Sequence, residues 1–418
     1  MTRSKKKSAR LQPERVSGIT NAKDRRETLD VYLRAFTNRG FMEEHMDGSL
    51  WRGAFADMDH TRVAVADGRV VSAMTMGRRM IRFGPVAVPA TTIGPVGTHD
   101  HYRKKGYSFA AMDDASDYMK ENGFLLAYLQ GIPNYYYRYG YYPYGTGSRL
   151  EFDRNAAKTA ASEGRLVAMT RRHAGDIRRI YDRATADRAC AAVRDTELWD
   201  WLLSYGRKSW LFRYPRAILN AEQQVCGYVT GGARHNFNIR EIVVKPDEAS
   251  CRAALGAIVR EGKRLEVKRI SLPVPWDDAL AVFVRQHVDC EFKMWSNTTG
   301  GLLMKVVDFP ALMRKLEPLF TRRWKAAQTS LPRTQFTLAT EIGSVGLTIC
   351  RDSVRVGSPV RGSRARVPQR WLSGLITGYH AARDIAPREG ASIPARLLPV
   401  MEILFPSGWP WVYQADNY

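Results

Sequence analysis

Residues 91–144 read TTIGPVGTHDHYRKKGYSFAAMDDASDYMKENGFLLAYLQGIPNYYYRYGYYPY. The stretch predicts a strand, a basic glycine loop, a helix, a second strand and a short aromatic helix. The loop is Arg103-Lys104-Lys105-Gly106-Tyr107-Ser108. A helix N-terminus gathers N–H donors and the positive end of the helix dipole, which is what a pyrophosphate needs. Gly106 lets the backbone approach such a ligand closely. A basic junction capped by Ser108 produces the same short pattern. The strand before the loop and the helix after it favour the anion-binding reading.

Downstream of the loop, Phe109, Met112, Ala115, Ser116 and Met119 recur at helical spacing, and Gly123 is the stop signal. Phe124 to Leu129 is an uninterrupted apolar run, as in a strand buried on both faces. Tyr136-Tyr137-Arg138-Tyr139-Gly140-Tyr141 is a phenol-rich turn. Acyl transfer to an amine needs a base for the attacking ammonium and an acid for the leaving thiolate. A phenol of pKa ~10 can protonate a thiolate only where the site positions it. One tyrosine suffices for that, and aromatic packing accounts for the others.

Upstream, residues 1–15 read as a basic tail carrying Lys5-Lys6-Lys7. Arg25 to Arg39 has a helical period, and Phe41 to Ala56 is expected to be helical in part. Thr61–Ala66 and Arg69–Met76 form a hairpin around Asp67-Gly68, and Val86 to Thr98 supplies the next strand. Further along, residues 151–165 lose their apolar pattern and read as a linker. A second α/β unit follows: a helix over Arg172–Ala189, strands over Ser209–Tyr214 and Ala217–Asn220, and a strand from Gln224 to Thr230 turning at Gly231-Gly232. Then come a strand to Val244, a helix over Ser250–Gly262 and a strand over Val267–Leu272. From Lys305 the predicted order is a short helix over Pro310–Leu316, three strands, and helices over Arg370–Thr377 and Pro394–Leu404. The aromatic end, Gly408 to Tyr418, is expected to be docked, since termini fray unless they are tied down.

The 418 residues, 44% hydrophobic and 25% charged, are enough for several globular domains. No apolar run reaches the ~18–20 residues of a membrane span, and the N-terminus lacks the apolar core of a secretory signal. The expectation is a cytoplasmic protein without a membrane. Five scattered cysteines without C-x-x-C spacing read as reduced structural thiols. His99 and His101 lack an identifiable third ligand, so no metal is expected. The net charge of +22 favours anionic partners. The cations are spread along the whole chain, which reads mainly as a basic surface, with weak nucleic-acid binding through the tail as a secondary possibility.

Arg103 to Ser108 resembles the R/Q-x-x-G-x-G/A acetyl-CoA loop of the GNAT acetyltransferase superfamily, and Tyr136 to Tyr141 resembles its Y-x-x-x-G-[FY] turn. Ser108 and Asp100 are departures, standing where Gly or Ala and Pro are common. Over residues 16–418 the chain further resembles the Eis (enhanced intracellular survival) family. The carriers are Tyr135 to Tyr141, Trp371 to Tyr379, and the terminal Asp416-Asn417-Tyr418. That resemblance implies an α/β (α+β) chain with a GNAT domain over 16–150, a second GNAT-like domain lacking the loop over 151–304, and a sterol-carrier-like domain over 305–418. It implies N-acetyl transfer from acetyl-CoA to a primary amine of an aminoglycoside- or polyamine-like molecule or a lysine side chain. Tyr136 would be the general acid. The α-carboxylate of Tyr418 would fold back into the first domain and assist as base. Val96, Gly97 and Thr98 would pair with the pantetheine arm. Arg103, Lys104, Lys105, Gly106, Tyr107 and Ser108 would hold the pyrophosphate. A homo-oligomer is implied, hexameric in the similar family. Glu43, Glu44 and Asp416 are candidates for local negative charge toward a cationic acceptor. The rival reading is a degenerate GNAT scaffold that binds polyanions or nucleic acid.

Overall fold

The computed structural model describes residues 12–36, 58–206, 212–233 and 236–417. The helical expectation over Phe41–Ala56 lies wholly outside these residues, and Glu43 and Glu44 with it. The chain is mixed α/β and divides into two compact units: 12–78 with 91–124, and 79–90 with 125–417.

The first unit opens with β1 (Arg15–Gly18) and α1 (Ala22–Ala35). Asn21 caps α1 by accepting from the Asp24 N–H, so the helix starts three residues before the periodicity suggested. Strands β2 (Thr61–Ala66), β3 (Arg69–Phe83) and β4 (Val86–Thr98) follow, then α2 (Tyr107–Glu121). β3 and β4 run through both units. The strand order here is β1-β2-β3-β4. Asp67 and Gly68 both hold positive φ, 51° and 65°, as a two-residue hairpin turn requires. Val31, Tyr32, Val63, Val70 and Ala73 pack on one side of the sheet; Ala64, Val71, Tyr107 and Ala111 pack on the other. Two helices therefore sandwich one sheet, and α2 presents its first turn where β4 ends.

The second unit holds the remaining strands. β5 (Leu126–Gly131) pairs with β15 (Gly301–Val306), which also pairs with β6 (Tyr142–Pro143). β7 (Gly147–Asp153) lies between β13 (Arg269–Leu272) and β14 (Cys290–Trp295). β8 (Gly164–Ala168), β10 (Arg216–Asn220), β11 (Val225–Ala233) and β12 (Asn236–Val244) form an antiparallel sheet. β9 (Ala189–Ala192) pairs with β3 at Ile81 and Phe83. The longer helices are α3 (Arg171–Thr185), α4 (Glu248–Arg264), α5 (Ala279–His287), α6 (Phe309–Ala326), α7 (Gln369–Thr377) and α8 (Leu398–Leu404). β16 (Thr334–Thr340), β17 (Gly343–Ile349), β18 (Val354–Gly357) and β19 (Arg364–Arg366) form the last sheet. The element order α1-β2-β3-β4-α2-β5 recurs as α3-β10-β11-β12-α4-β13, with β9 and the helical segment 196–206 inserted after α3.

Several expectations are corrected. The segment 151–165 is not a free linker. Leu150 and Phe152 alternate inward, so β7 continues to Asp153, and β8 begins at Gly164. The boundaries at 15/16, 150/151 and 304/305 all fall inside strands. Gly231-Gly232 is not a hairpin turn but part of β11. Gly231, at φ 81°, sits at a register shift and donates its N–H to the Arg213 carbonyl. Pro318 does not stop the helix that starts at Phe309. Leu312, Met313, Leu316, Leu319, Phe320 and Trp324 give α6 a continuous buried stripe, and packing overrides the proline's cost.

Candidate active site

The candidate acyl-donor residues belong to the first unit. Gly97 sits in β4 where α1 crosses. A Cβ there would lie 3.1 Å from the Ala35 Cβ and 3.2 Å from both the Tyr32 ring and a Val31 methyl. The Ser72 hydroxyl donates to the Gly97 carbonyl at 3.0 Å and lies 2.9 Å from the Thr98 hydroxyl. Val96 and Thr98 are partly exposed, while Gly97 is buried. Arg103 Nε donates to the Thr98 carbonyl at 3.3 Å, tying the loop back to the strand.

Lys104 and Gly106 both adopt left-handed backbone, φ 64° and 98°, so the loop curls before α2 begins. Arg103, Lys104 and Lys105 are exposed, and Arg103 also pairs with Asp100 at 2.7 Å. Gly106 is the N-cap of α2, with no side-chain cap hydrogen bond. Ser108 stands inside the first turn, so glycine and not serine occupies the N-cap position. Tyr107 is buried in the unit's core. A curled backbone, three exposed cations and a glycine N-cap stand together at this helix entry.

At the equivalent place in the repeated element order, α4 is capped by a carboxylate. Asp247 accepts from the Ser250 N–H at 2.8 Å and from its hydroxyl at 2.9 Å. That helix entry already holds its own anion.

His99 follows β4 directly. Burial, together with Arg69 and Arg34, holds its imidazole pKa below the usual value. Its ring lies 5.5 Å from that of His101. Among the described residues no group of three or more His, Cys, Asp or Glu side chains could hold a metal ion. Burial pushes the Cys226 thiol up to about 11 and the Cys251 thiol up to about 12, which leaves both protonated and unreactive near neutral pH.

The candidate proton-transfer residues belong to the second unit. Tyr136 opens a short 3-10 helix, Tyr136–Tyr139, that Gly140 closes at φ 84°. The Tyr136 ring is buried and meets Tyr135 edge-on at 4.9 Å and Tyr141 at 6.1 Å. Gly131, the last residue of β5, makes room for it: a Cβ there would lie 2.7 Å from the Tyr136 ring. Tyr141 is fully buried, and desolvation, with Tyr136 beside it, pushes its hydroxyl pKa above the ordinary range.

Tyr418 lies outside the described residues. The residues leading to it are docked, as the aromatic end suggested. The main-chain N–H of Trp411 donates to the Ala189 carbonyl at 3.0 Å, and the Tyr128 hydroxyl, from β5, donates to the Asp416 carbonyl at 2.9 Å. The Asp416 side chain is fully buried, so it does not supply the open negative charge expected of it. Arg194 holds it through Nε at 3.0 Å and Nη2 at 2.9 Å, and holds Glu241, on β12, at 2.6 and 2.8 Å. Burial alone would lower the pKa of Arg194; Asp416 and Glu241 outweigh it and keep the guanidinium firmly charged. Sequence reasoning missed Tyr128, Arg194 and Glu241. The available signal was Glu241 itself, a carboxylate in the inward phase of Ile239 and Val243.

The sequence model of the GNAT acetyltransferase domain family matches residues 21–144, a span that contains both the loop and Tyr136. Residues 21–144 thus carry a GNAT acetyltransferase domain, a kind of domain that draws its acyl group from an acyl-CoA. No curated protein matches the sequence. Among solved structures, a GCN5-related N-acetyltransferase from Anabaena variabilis aligns over 97% of this chain and 100% of its own, at TM-score 0.73 and 14% identity. A GCN5-related N-acetyltransferase from Kribbella flavida aligns over 97% and 98%, at TM-score 0.71 and 15% identity. Eis1 from Mycobacterium abscessus aligns over 97% and 100%, at TM-score 0.65 and 16% identity. The whole-chain fold is therefore the one these three proteins share.

No helix of the described residues is long and apolar enough to cross a membrane.

Proposed function

We propose that the chain transfers the acetyl group of acetyl-CoA directly to a primary amine, on a small polyamine- or aminoglycoside-like molecule or a lysine side chain. The observation that carries the reading is the glycine-capped, cation-flanked entry of α2 within the matched domain. Backbone N–H groups of the first turn and the side chains of Arg103, Lys104 and Lys105 hold the pyrophosphate. Val96 to Thr98 align the pantetheine arm.

The free amine attacks the thioester carbonyl. The C–N bond forms, the C–S bond breaks, and the Tyr136 hydroxyl gives its proton to the departing thiolate. The α-carboxylate of Tyr418 receives the proton that the ammonium loses. The hydrogen bonds that hold Trp411 to Ala189 and Asp416 to Tyr128 support this role, since a terminal base must be held in place.

The reading extends to a sterol-carrier-like fold for 305–418, homo-oligomeric assembly and a cytoplasmic location. Light scattering of the purified chain tests the assembly. The decisive experiment scores CoA release from acetyl-CoA with kanamycin, spermidine and Nα-acetyl-lysine as acceptors. Turnover of at least one supports the reading. No turnover, together with no thermal shift at millimolar acetyl-CoA, overturns it.

A further inference from the structure

The last sheet runs in the order β18-β17-β16-β19, and one of its faces is core. Phe336, Leu338, Leu347, Val354 and Ala365 are buried there. Side chains alternate across a strand, so Arg355, Arg364 and Arg366 stand on the opposite face. The register sets Arg355 beside Thr348, Arg364 beside Thr337 and Arg366 beside Ala339.

The connection from β18 to β19, Ser358 to Ser363, is strapped across that outer face. The Thr337 hydroxyl donates to the Val360 carbonyl at 2.8 Å and accepts the Val360 N–H at 2.9 Å. Gly346 makes way for the strap, since a Cβ there would overlap the Ser358 carbonyl oxygen. Arg396 braces its far end, donating to the Ser363 hydroxyl at 2.6 Å. Gly357 and Gly362 open outward, and a Cβ at either would meet nothing within 4 Å.

Arg355, Arg361, Arg364, Arg366 and Arg396 are all exposed. From Val354 to Arg366 the sequence has four arginines and no acidic residue. Among the described residues no ion pair engages Arg355, Arg361 or Arg364. Arg366 reaches Glu341 at 3.5 Å, and that carboxylate also accepts the Gln369 N–H at 2.6 Å.

β18 and β19 are three strand spacings apart, ~14 Å. That span exceeds one phosphate group and suits a charged polymer. Among the described residues no large apolar side chain beyond Trp295 is exposed. The face therefore offers neither an anchor for a bilayer nor a stacking platform for unpaired bases. It offers arginines, whose forked donors grip phosphate oxygens in pairs. Arg364 and Arg366, two residues apart on one strand, are spaced by ~6.7 Å. That is about two steps of a duplex strand, at ~3.4 Å of axis per phosphate.

We propose that this face binds the phosphate backbone of duplex nucleic acid without reading its sequence. The inference uses none of the residues of the acyl-transfer reading and stands apart from it.

The test uses the full chain and a labelled random-sequence DNA duplex of about 24 base pairs, followed by anisotropy from ~50 to ~200 mM salt. Combining Arg355→Gln, Arg361→Gln and Arg364→Gln should weaken binding tenfold or more and make the log–log salt slope shallower by about two to three. Combining Arg171→Gln, Arg172→Gln and Arg183→Gln on α3 removes the same charge, and binding should stay within threefold of the parent. Lysine at positions 355, 361 and 364 keeps the charge and should bind within fivefold, which separates lost contacts from lost fold. Equal losses in the two glutamine variants would make the binding a property of net charge and overturn the inference. So would a parent that does not bind the duplex, or one that binds the single strand of the same length more tightly. Sensitivity to the 355/361/364 glutamine variant seen only with phosphatidylcholine vesicles carrying about one-third phosphatidylserine would assign the face to a membrane surface instead.

Discussion

The Tyr128 hydroxyl and the Asp416 carbonyl meet at 2.9 Å, across 288 residues of sequence. Tyr128 lies on β5, three residues before Gly131, the glycine that seats the Tyr136 ring. The strand that leads to the candidate acid is thus also the strand that receives the chain end.

Tyr136→Phe removes the proton donor and keeps the ring that packs on Tyr135 and Tyr141. Turnover should fall by ~10²–10⁴, with acetyl-CoA affinity and melting temperature nearly unchanged. Steady-state kinetics and a calorimetric titration check both halves. A Phe variant within threefold of the parent kcat would remove Tyr136 from the mechanism.

Gly131→Ala places a methyl 2.7 Å from the Tyr136 ring and 2.8 Å from methyls of Leu129 and Leu303. Overpacking of this kind costs ~1–3 kcal/mol. The ring must move, so kcat should drop while acetyl-CoA binding persists. Thermal unfolding and kinetics, measured together, separate the displaced tyrosine from simple unfolding.

Gly106→Ala forces an L side chain into φ 98° at the entry of α2. Strain of about 1–2 kcal/mol should appear chiefly as a rise of roughly five- to thirtyfold in the acetyl-CoA Kd, at ~1.4 kcal/mol per tenfold. Removing the three flanking cations should weaken binding as well, and more so at low ionic strength, where exposed charges act over longer distances. Titrations at two salt concentrations distinguish the two effects.

His380 packs against Tyr379 and Trp371, in space left by Gly374, where a Cβ would overlap its ring. Burial lowers its pKa from the usual ~6.5. The folded state therefore resists a proton that the unfolded state accepts. Stability is full above about pH 6.5 and declines as pH falls from there toward the folded pKa. His380→Gln should flatten that part of the stability–pH curve. A denaturation series between pH 7.5 and 5 reads it directly.

What the sequence shows and what it hides follow from the range of each interaction. The hairpin at Asp67-Gly68, the strand Val86–Thr98 and the loop before α2 are local patterns, and each was legible within a dozen residues. The continuation of α6 through Pro318 was not, because the deciding term is a buried stripe facing residues distant in sequence. α5 and β14 went unassigned for the same reason. In the site, the loop and the aromatic turn announce themselves by composition. Arg194 and Asp416, 222 residues apart, share no local signal. Only tertiary structure brings a lone arginine and two lone carboxylates together.

The glycine N-cap of α2 has a thermodynamic consequence. A side-chain cap contributes ~1 kcal/mol to a helix, and here glycine forgoes it, whereas Asp247 supplies it to α4. The donor's phosphates would then complete the helix as well as dock on it. Ligand occupancy becomes part of the folding equilibrium, worth ~2.7 kcal/mol at a hundredfold excess over Kd. An enzyme built in this way is sturdiest when its acyl donor is plentiful and loosens as that supply runs down.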